Sequence, residues 1–290
     1  MPNVTHNLKA LPATVRRTCK SIGRQQASDP DAPDVLPLPE WCVFVRGTED
    51  MKNAYRQCPI APYQRRCAVV AFWDEASEQI QFIVPNGLPV GLSSPFLNFH
   101  RTPVLLTAVA RRMTGCAAAY FFDDSGVVGL VAGHGFAQAI LRDIYSMAGA
   151  ALDPGKSQAP AGCRVFLGLS ANLALVSIGG LVEFDLKPGF RESVQVEIDS
   201  VFETGILTSG QAAKLRGRFG WAASGTCGRC SRGGQAPLVQ RQYFDCSVDL
   251  TVPLQDALLF HSLLAEHVLP RQVRTFGAQQ LPIRIYSGAS

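Results

Sequence analysis

The sequence lacks a long apolar run of the kind that crosses a membrane. Its one membrane candidate, the uncharged residues 165–182, is interrupted by polar and small residues such as Gly168, Asn172 and Gly180. A spanning helix needs about 20 predominantly apolar residues, so a strand–turn–strand is the better interpretation. Residues 1–20 are polar and basic, without the apolar centre of a signal peptide. We therefore expect a soluble intracellular protein with no membrane partner, located in the cytoplasm or the nucleus.

The nine cysteines lack the pattern of a disulfide framework. Their number is odd and they are scattered through apolar segments, which suits buried thiols in a reducing compartment. Cys227 and Cys230 have the spacing of a metal site, but no second cysteine pair follows them. Cys246 and His261 would complete four ligands only by coincidence, so we expect no zinc site.

Acidic residues are absent from residues 204–244. The same stretch contains the basic residues Lys214, Arg216, Arg218, Arg229, Arg232 and Arg241. Within it, residues 211–221 are predicted to form a helix with one basic face, which would suit a helix that lies along a phosphate backbone. A solvated positive face is the alternative interpretation. The whole chain is mildly basic, with a formal net charge of +4, which is compatible with a polyanionic partner.

An apolar run at residues 116–122 leads into two adjacent carboxylates, Asp123 and Asp124. The chain then turns at Ser125 and Gly126 and continues into a second apolar run, residues 127–131. Two apolar runs around turn residues predict a β-hairpin with two acids at its tip. Such carboxylates provide the hard oxygen ligands that divalent cations prefer, although Asp-Asp-Ser-Gly is also ordinary turn chemistry.

Four further segments accompany this hairpin along the chain. They are residues 50–57 (DMKNAYRQ), which follow a strand predicted at residues 41–45, residues 88–101 (LPVGLSSPFLNFHR), residues 152–158 (LDPGKSQ) and residues 165–168 (VFLG). The second of them contains a helix start, because the hydroxyls of Ser93 and Ser94 precede Pro95. Taken alone, Asp50 is better explained as a surface acid at the start of a helical turn.

In this order, the five segments resemble successive motifs of the palm of a retrotransposon-type reverse transcriptase. The resemblance covers residues 41–220. Residues 50–57 look like the family's D-x-K-x-A-Y-R-Q motif, and residues 121–124 look like its Tyr-x-Asp-Asp hairpin, with Phe121 in place of the usual tyrosine. The resemblance implies an α+β fold, in which an antiparallel palm sheet with packed helices carries reduced fingers and a helical thumb. It also implies nucleotidyl transfer with two divalent ions, Mg²⁺ or Mn²⁺.

The resemblance implies a role for each candidate site residue. Asp50, Asp123 and Asp124 would be the catalytic residues and the metal ligands. The incoming deoxynucleoside triphosphate would contact Tyr55, which excludes a 2′-hydroxyl, Gly91, and Lys156, a candidate general acid. The RNA or DNA template–primer would contact Arg101, Leu167, Gly168, Lys214, Arg216 and Arg218. A core tyrosine at position 55 and a solvated loop lysine at position 156 are the alternatives, and no oligomeric state is indicated.

The resemblance also divides the chain into four parts. Residues 1–40 would be a poorly ordered arm or a fingers remnant, and residues 41–184 the palm with residual fingers. Residues 185–235 would be thumb-like helices and a linker, and residues 236–290 a connection helix with the truncated start of a ribonuclease H-like domain. The predicted helices are residues 95–113, 136–150, two between 188 and 224 broken at 205–210, and 251–268. The glycine-rich linker is residues 225–234, and a last strand is residues 281–286.

Three features depart from the family. The basic fingers residues that grip the triphosphate in the family are not evident, and the candidates here are Arg16, Arg17, Lys20 and Arg24. Residues 47–49 are polar where the family's strand is usually apolar. Gly288 stands where the ribonuclease H-like strand would have an aspartate. The first function that the sequence supports is an RNA-directed DNA polymerase of a retroelement, which we expect to be weak or inactive without that grip. The second is a non-catalytic or domesticated fragment that keeps the palm fold and binds nucleic acid.

Overall fold

The computed structural model describes residues 42–89 and 93–275, which form ten strands and seven α-helices. The strands are β1 (Phe44–Asp50), β2 (Val70–Asp74), β3 (Gln79–Ile83), β4 (Ala117–Phe121), β5 (Asp124–Leu130), β6 (Gln158–Ala161), β7 (Cys163–Phe166), β8 (Leu169–Asn172), β9 (Leu181–Leu186) and β10 (Arg271–Arg274). The helices are α1 (Ser93–Thr114), α2 (Phe136–Met147), α3 (Ala174–Gly179), α4 (Phe190–Thr204), α5 (Ser209–Gly225), α6 (Gln235–Tyr243) and α7 (Val252–His267). Residues 1–40 and the strand predicted at 281–286 lie outside the described residues.

Strand β1 is a central strand of the first sheet, whose order is β4-β5-β1-β6. It pairs antiparallel with β5 along its whole length, and all seven of its residues are buried. Residues 47–49 are polar but do not interrupt the strand, which continues to Asp50, beyond the end predicted at residue 45. Gly47 makes close packing possible there, since a Cβ atom at this position would come within 2.1 Å of the Gln138 amide oxygen on α2.

The predicted hairpin is present as the pair β4–β5, but its turn is not at Ser125 and Gly126, which lie within β5 and pair with β4. Phe121 lies opposite Asp124, so Phe122 and Asp123 form the connection between the strands. Phe122 has a φ of 54°, a left-handed conformation that costs a non-glycine residue about 1–2 kcal/mol. The tight turn fixes both carboxylates at one end of the first sheet.

The second sheet has the order β10-β9-β8-β7 and is also antiparallel. The strand–turn–strand expected in residues 165–182 is present as β7 and β8, which meet at a tight turn. Sequence reasoning missed α3, a short helix that follows β8. Strand β9 then alternates between buried and half-buried residues, as expected for a strand with one face in a core.

The predicted helices are confirmed, with ends within a few residues of those expected. The break between α4 and α5 falls at the predicted glycine-containing segment, and Thr208 caps α5 through a capping box with Gln211. The linker predicted at residues 225–234 is wrong in part, since a 3-10 helix occupies Gly228–Gly234. Helix α6 follows at once and was not predicted.

The first sheet separates two hydrophobic cores. Phe44 and Val128, on one face, belong to a core with the second sheet and helices α4 to α7. Met51 and Val127, on the other face, belong to a core with α1 and α2. The hairpin β2–β3 lies outside both cores, and nine of its ten residues are exposed. The structure thus has an α+β architecture of antiparallel sheets with packed helices.

Two absences hold for the described part of the chain. Every cysteine in it is a free thiol. None of its helices combines the length and the apolar character that crossing a membrane requires.

We expect Gly47→Ala to destabilise the protein by about 1–3 kcal/mol, because the new methyl group must displace a buried side chain that is already hydrogen-bonded. The measurement is the midpoint of denaturant-induced unfolding. Gly210→Ala in α5 is the matched control, since a methyl group there meets nothing within 4 Å. It should be neutral or slightly stabilising, because alanine has the higher helix propensity. Equal destabilisation by the two substitutions would contradict the packing of α2 on β1.

Candidate active site

Asp50, Asp123 and Asp124 come together at one end of the first sheet. Asp50 is the last residue of β1 and lies directly opposite Asp124, the first residue of β5, so both side chains project from the same face. The hairpin turn places Asp123 beside them, and the Asp123 carbonyl oxygen accepts a hydrogen bond of 2.9 Å from the Met51 amide. Two distant sequence segments thus meet through one strand pairing.

The three carboxylates interact electrostatically. Asp50 is almost fully buried, with 6% of its surface exposed. The pKa of Asp124 is raised from its ordinary 3.8 to about 6, first by burial and then by the negative charges of Asp123 and Asp50. Lys156 acts in the opposite direction but does not compensate. Excess negative charge of this kind attracts cations.

Lys156 lies next to the carboxylates. Its Nζ atom is 2.8 Å from Asp50 Oδ2, although 65% of the lysine side chain is exposed. The hydrogen bond to Asp50 and the negative charge of Asp50 raise the pKa of Lys156. The backbone supports this approach, since the Asp153 amide donates to the Asp50 carbonyl oxygen at 2.8 Å. The lysine therefore reaches a candidate carboxylate from an exposed loop, and its role at the triphosphate stays a prediction.

Tyr55 follows Asp50 on a 3-10 helix, Ala54–Gln57. Its ring packs against Phe99 of α1, with 4.6 Å between the ring centroids. Burial, and then the charge of Asp123, raise the pKa of Tyr55. The tyrosine is half-buried.

The chemistry of the three carboxylates fits a hard divalent cation, because Mg²⁺ prefers carboxylate oxygens. The positions of the side chains fit a metal site less well than their chemistry does. Within residues 42–89 and 93–275, no group of three or more His, Cys, Asp or Glu side chains is arranged as a metal site. One Asp50 oxygen is instead in contact with the Lys156 ammonium group.

Leu167 and Gly168 form the turn of the hairpin β7–β8. Both have positive φ, 53° and 73°, the pattern of a type I′ turn. Gly168 packs against Trp221 of α5, where a Cβ atom would come within 2.9 Å of the indole ring. Arg46 joins this hairpin to the first sheet, because its guanidinium group lies 4.1 Å from the centroid of the Phe166 ring.

The predicted single basic face of α5 is wrong. Lys214 and Arg218 lie one turn apart, and both form salt bridges with Glu197 of α4, at 3.0 and 2.6 Å. Arg216 projects elsewhere and lies 5.5 Å from the centroid of the Tyr243 ring. Arg241, a further basic residue of this stretch, is fully buried and holds backbone carbonyls of residues 207 and 249. Three of the basic residues in 204–244 are therefore engaged by contacts within the protein: Lys214, Arg218 and Arg241.

Arg101 and Gly91 are the two other site residues that the sequence predicts. Arg101 is exposed on α1, and Gly91 lies outside the described residues. Sequence reasoning missed Arg46 and Glu49, two charged residues buried within β1. The strand was predicted to end at residue 45, so no sequence signal indicated that these two charges would be buried.

Two solved structures share this architecture. A foamy viral protease-reverse transcriptase in complex with an RNA/DNA hybrid matches with a TM-score of 0.55 and 17% identity, over 77% of this chain and 27% of that chain. A foamy viral protease-reverse transcriptase dRH in complex with ds DNA matches with a TM-score of 0.53 and 19% identity, over 77% of this chain and 35% of that chain. The chain has a reverse transcriptase-like fold.

This likeness establishes the fold alone, since identity is below 20%. The aligned region spans 27–35% of the length of these viral proteins. No protein-family model and no curated protein matches the sequence. Within the reverse transcriptase-like fold, the sequence motifs and the strand pairing of Asp50 with Asp124 point to the same end of the first sheet.

We expect Asp124→Asn to stabilise the protein at pH 7.5 in metal-free buffer. The folded state raises the pKa of Asp124 to about 6, so it binds this proton more tightly than the unfolded chain does. Stability therefore falls as the pH rises from about 4 to 6, and the full cost persists above that range. Removing the carboxylate should gain up to about 3 kcal/mol at pH 7.5 and nothing at pH 3.5.

Thermal unfolding at both pH values measures this difference. Asp143→Asn is the charge-matched control, because Asp143 is exposed on α2. The same gain at both pH values would contradict the electrostatic explanation.

Proposed function

We propose that this chain is an RNA-directed DNA polymerase module, which extends a primer by nucleotidyl transfer. The observation that carries the proposal is the pairing of Asp50 with Asp124 and the placement of Asp123 at the adjacent hairpin tip. This constellation lies in a reverse transcriptase-like fold, and its carboxylates carry uncompensated negative charge. Both properties suit a reaction that uses two divalent cations.

In this proposal, Asp50, Asp123 and Asp124 hold Mg²⁺ or Mn²⁺. When bound, such ions stabilise the charge that develops on the attacking 3′-hydroxyl and on the leaving pyrophosphate. The Lys156 ammonium group contacts Asp50 Oδ2. For that oxygen to bind a cation, Lys156 would have to move away from Asp50. The long exposed side chain can then pair with the triphosphate and donate a proton to the departing pyrophosphate.

Tyr55 is proposed to line the position of the deoxynucleotide sugar. The ring packs against Phe99 of α1, and the charge of Asp123 contributes to its raised pKa, which supports a position near the carboxylates. A rigid aromatic surface at that place would contact the sugar and leave no room for a 2′-hydroxyl. Gly91 keeps its proposed nucleotide role as a sequence prediction.

The proposed partner is an RNA or DNA template–primer. The foamy viral proteins with the same fold were solved with an RNA/DNA hybrid and with ds DNA. In this chain, Leu167, Gly168, Arg101 and Lys214 of α5 are proposed to contact the duplex. Lys214 remains a candidate despite its salt bridge, because 64% of its side chain is exposed.

A second candidate is a nucleic-acid-binding protein without polymerase activity. The observation in its favour is the contact of Lys156 with Asp50, which neutralises one of the three carboxylates. A sheet that keeps its acids paired with lysine needs no metal to be stable. The two candidates differ in whether a divalent cation displaces this lysine.

Primer extension on poly-rA/oligo-dT, with Mg²⁺ or Mn²⁺, tests the proposed function. Asp123→Asn should abolish extension, because the loss of one ligand charge disables the metal clamp. The affinity for template–primer should stay within about twofold, since phosphate contacts supply most of the binding energy. Asp143→Asn on α2 is the control and should extend like the parent.

A parent protein that binds template–primer but extends nothing in Mn²⁺ would support the second candidate. Extension that survives Asp123→Asn would refute the assignment of these carboxylates.

A separate binding experiment tests the surface of α5. Lys214→Gln should weaken template–primer binding equally for different sequences and reduce the slope of log K against log salt by about one, because a phosphate contact carries no base information. Arg271→Gln, which removes one exposed charge from β10, is the charge-matched control. An unchanged salt slope would exclude Lys214 from the nucleic-acid surface.

A further inference from the structure

Glu49 is a buried carboxylate directly before Asp50. Neighbouring residues of a strand point to opposite faces, so Glu49 faces α2 while Asp50 faces the candidate site. Only 2% of Glu49 is exposed. Its Oε1 atom accepts hydrogen bonds from Gln138 Nε2, from Arg142 Nε at 2.6 Å and from Ser157 Oγ at 3.2 Å. A buried carboxylate is tolerated because these donors replace water.

The network ends on the loop that carries Lys156. Ser157 follows Lys156 directly, and its hydroxyl also accepts a hydrogen bond of 2.5 Å from Arg142 Nη2. Two adjacent residues of β1 therefore hold two adjacent residues of one loop. Asp50 contacts Lys156 from one face of the sheet, and Glu49 contacts Ser157 from the other.

We propose that Glu49, Arg142 and Ser157 are positioning residues, which hold the loop of residues 153–157 so that Lys156 reaches the carboxylates. The positioning of the loop is inferred from the hydrogen bonds alone. Its effect on catalysis rests on the proposed function. Arg142 connects the strand to the loop, because its guanidinium group donates hydrogen bonds to Glu49 on β1 and to Ser157 on the loop.

Backbone contacts anchor the two ends of the loop, since the Asp153 amide donates to the Asp50 carbonyl oxygen and Gln158 begins β6. Pro154, Gly155 and Lys156 are exposed, and apolar packing does not fix them. A cavity of about 640 Å³ opens between the loop, the end of α2 and Glu49, and it is lined by Ser146, Pro154 and Ser157 among others. A loop beside such a space can shift unless polar contacts hold it, so the network has a task that packing does not perform.

Hydrogen exchange of the loop amides tests the positioning without any activity. Ser157→Ala removes one hydroxyl and leaves the fold intact, and Ser157→Thr restores the hydroxyl. We expect the amides of Lys156 and Ser157, which donate to the Asp153 carbonyl oxygen, to exchange about tenfold faster in Ser157→Ala. Arg142→Gln should give the same increase.

Ser146→Ala is the matched control, because Ser146 lines the same cavity and is not a member of the Glu49 network. Its loop amides should exchange at the parent rate, as should those of Ser157→Thr. Parent-like exchange in both Ser157→Ala and Arg142→Gln would overturn the proposal, whatever the enzyme assays show.

Primer extension then tests the consequence for catalysis. Ser157→Ala should raise KM for the deoxynucleotide about tenfold, while the Kd for template–primer stays unchanged. In a Lys156→Ala background, Ser157→Ala should have no further effect, because the network acts through Lys156. Additive effects of the two substitutions would overturn that link.

The two proposals fail separately. Faster loop exchange without any primer extension by the parent would leave the positioning in place and count against the polymerase. Extension that Lys156→Ala does not impair would remove Lys156 from the reaction and overturn the catalytic part of the inference.

Discussion

The burial of charge within strand β1 is the constraint on which the rest of the structure depends. The strand is buried along its whole length, yet it contains Arg46, Glu49 and Asp50. A buried charge is tolerated only when neighbouring groups replace its hydration, so each of these residues requires a partner from another element. Arg46 stacks on Phe166, Glu49 binds α2 and the loop after it, and Asp50 contacts Lys156. Elements that pack against the first sheet must therefore provide partners for these buried charges.

The alternation of side chains divides these partners between the two faces. The face with Arg46 and Asp50 meets the β7–β8 hairpin, and through Gly168 that hairpin meets Trp221 of α5. The face with Gly47 and Glu49 meets α2. The carboxylates, the hairpin and the helices therefore share one reference element. A small displacement of β1 would alter all of these contacts together, because packed interiors transmit strain.

Sequence reasoning was most successful where a local signal determined the structure. Two apolar runs predict the β4–β5 hairpin, although its turn comes earlier than Ser125 and Gly126. A helix start predicts α1, and glycines predict the break between α4 and α5. It failed where tertiary contacts decided the outcome. The basic residues of α5 gave no sign that Glu197, from another helix, would pair with Lys214 and Arg218. Residues 47–49 looked like a break because a single strand does not reveal that Gln138 and Arg142 will cover its polar side chains.

The candidate site was partly predictable for the same reason. Ordered motifs identified Asp50, Asp123 and Asp124, and one antiparallel pairing then suffices to bring them together. Sequence motifs do not show which contacts the site residues make or how their pKa values are shifted. Lys156 contacts Asp50, while Asp124 has a pKa near 6 because burial and two acids act on it. A cation at the carboxylates would release the lysine and favour the ionised form of Asp124, since opposite charge lowers a carboxyl pKa. In the proposed function, cation binding and lysine release would therefore be coupled, and the present contact between Lys156 and Asp50 would oppose both.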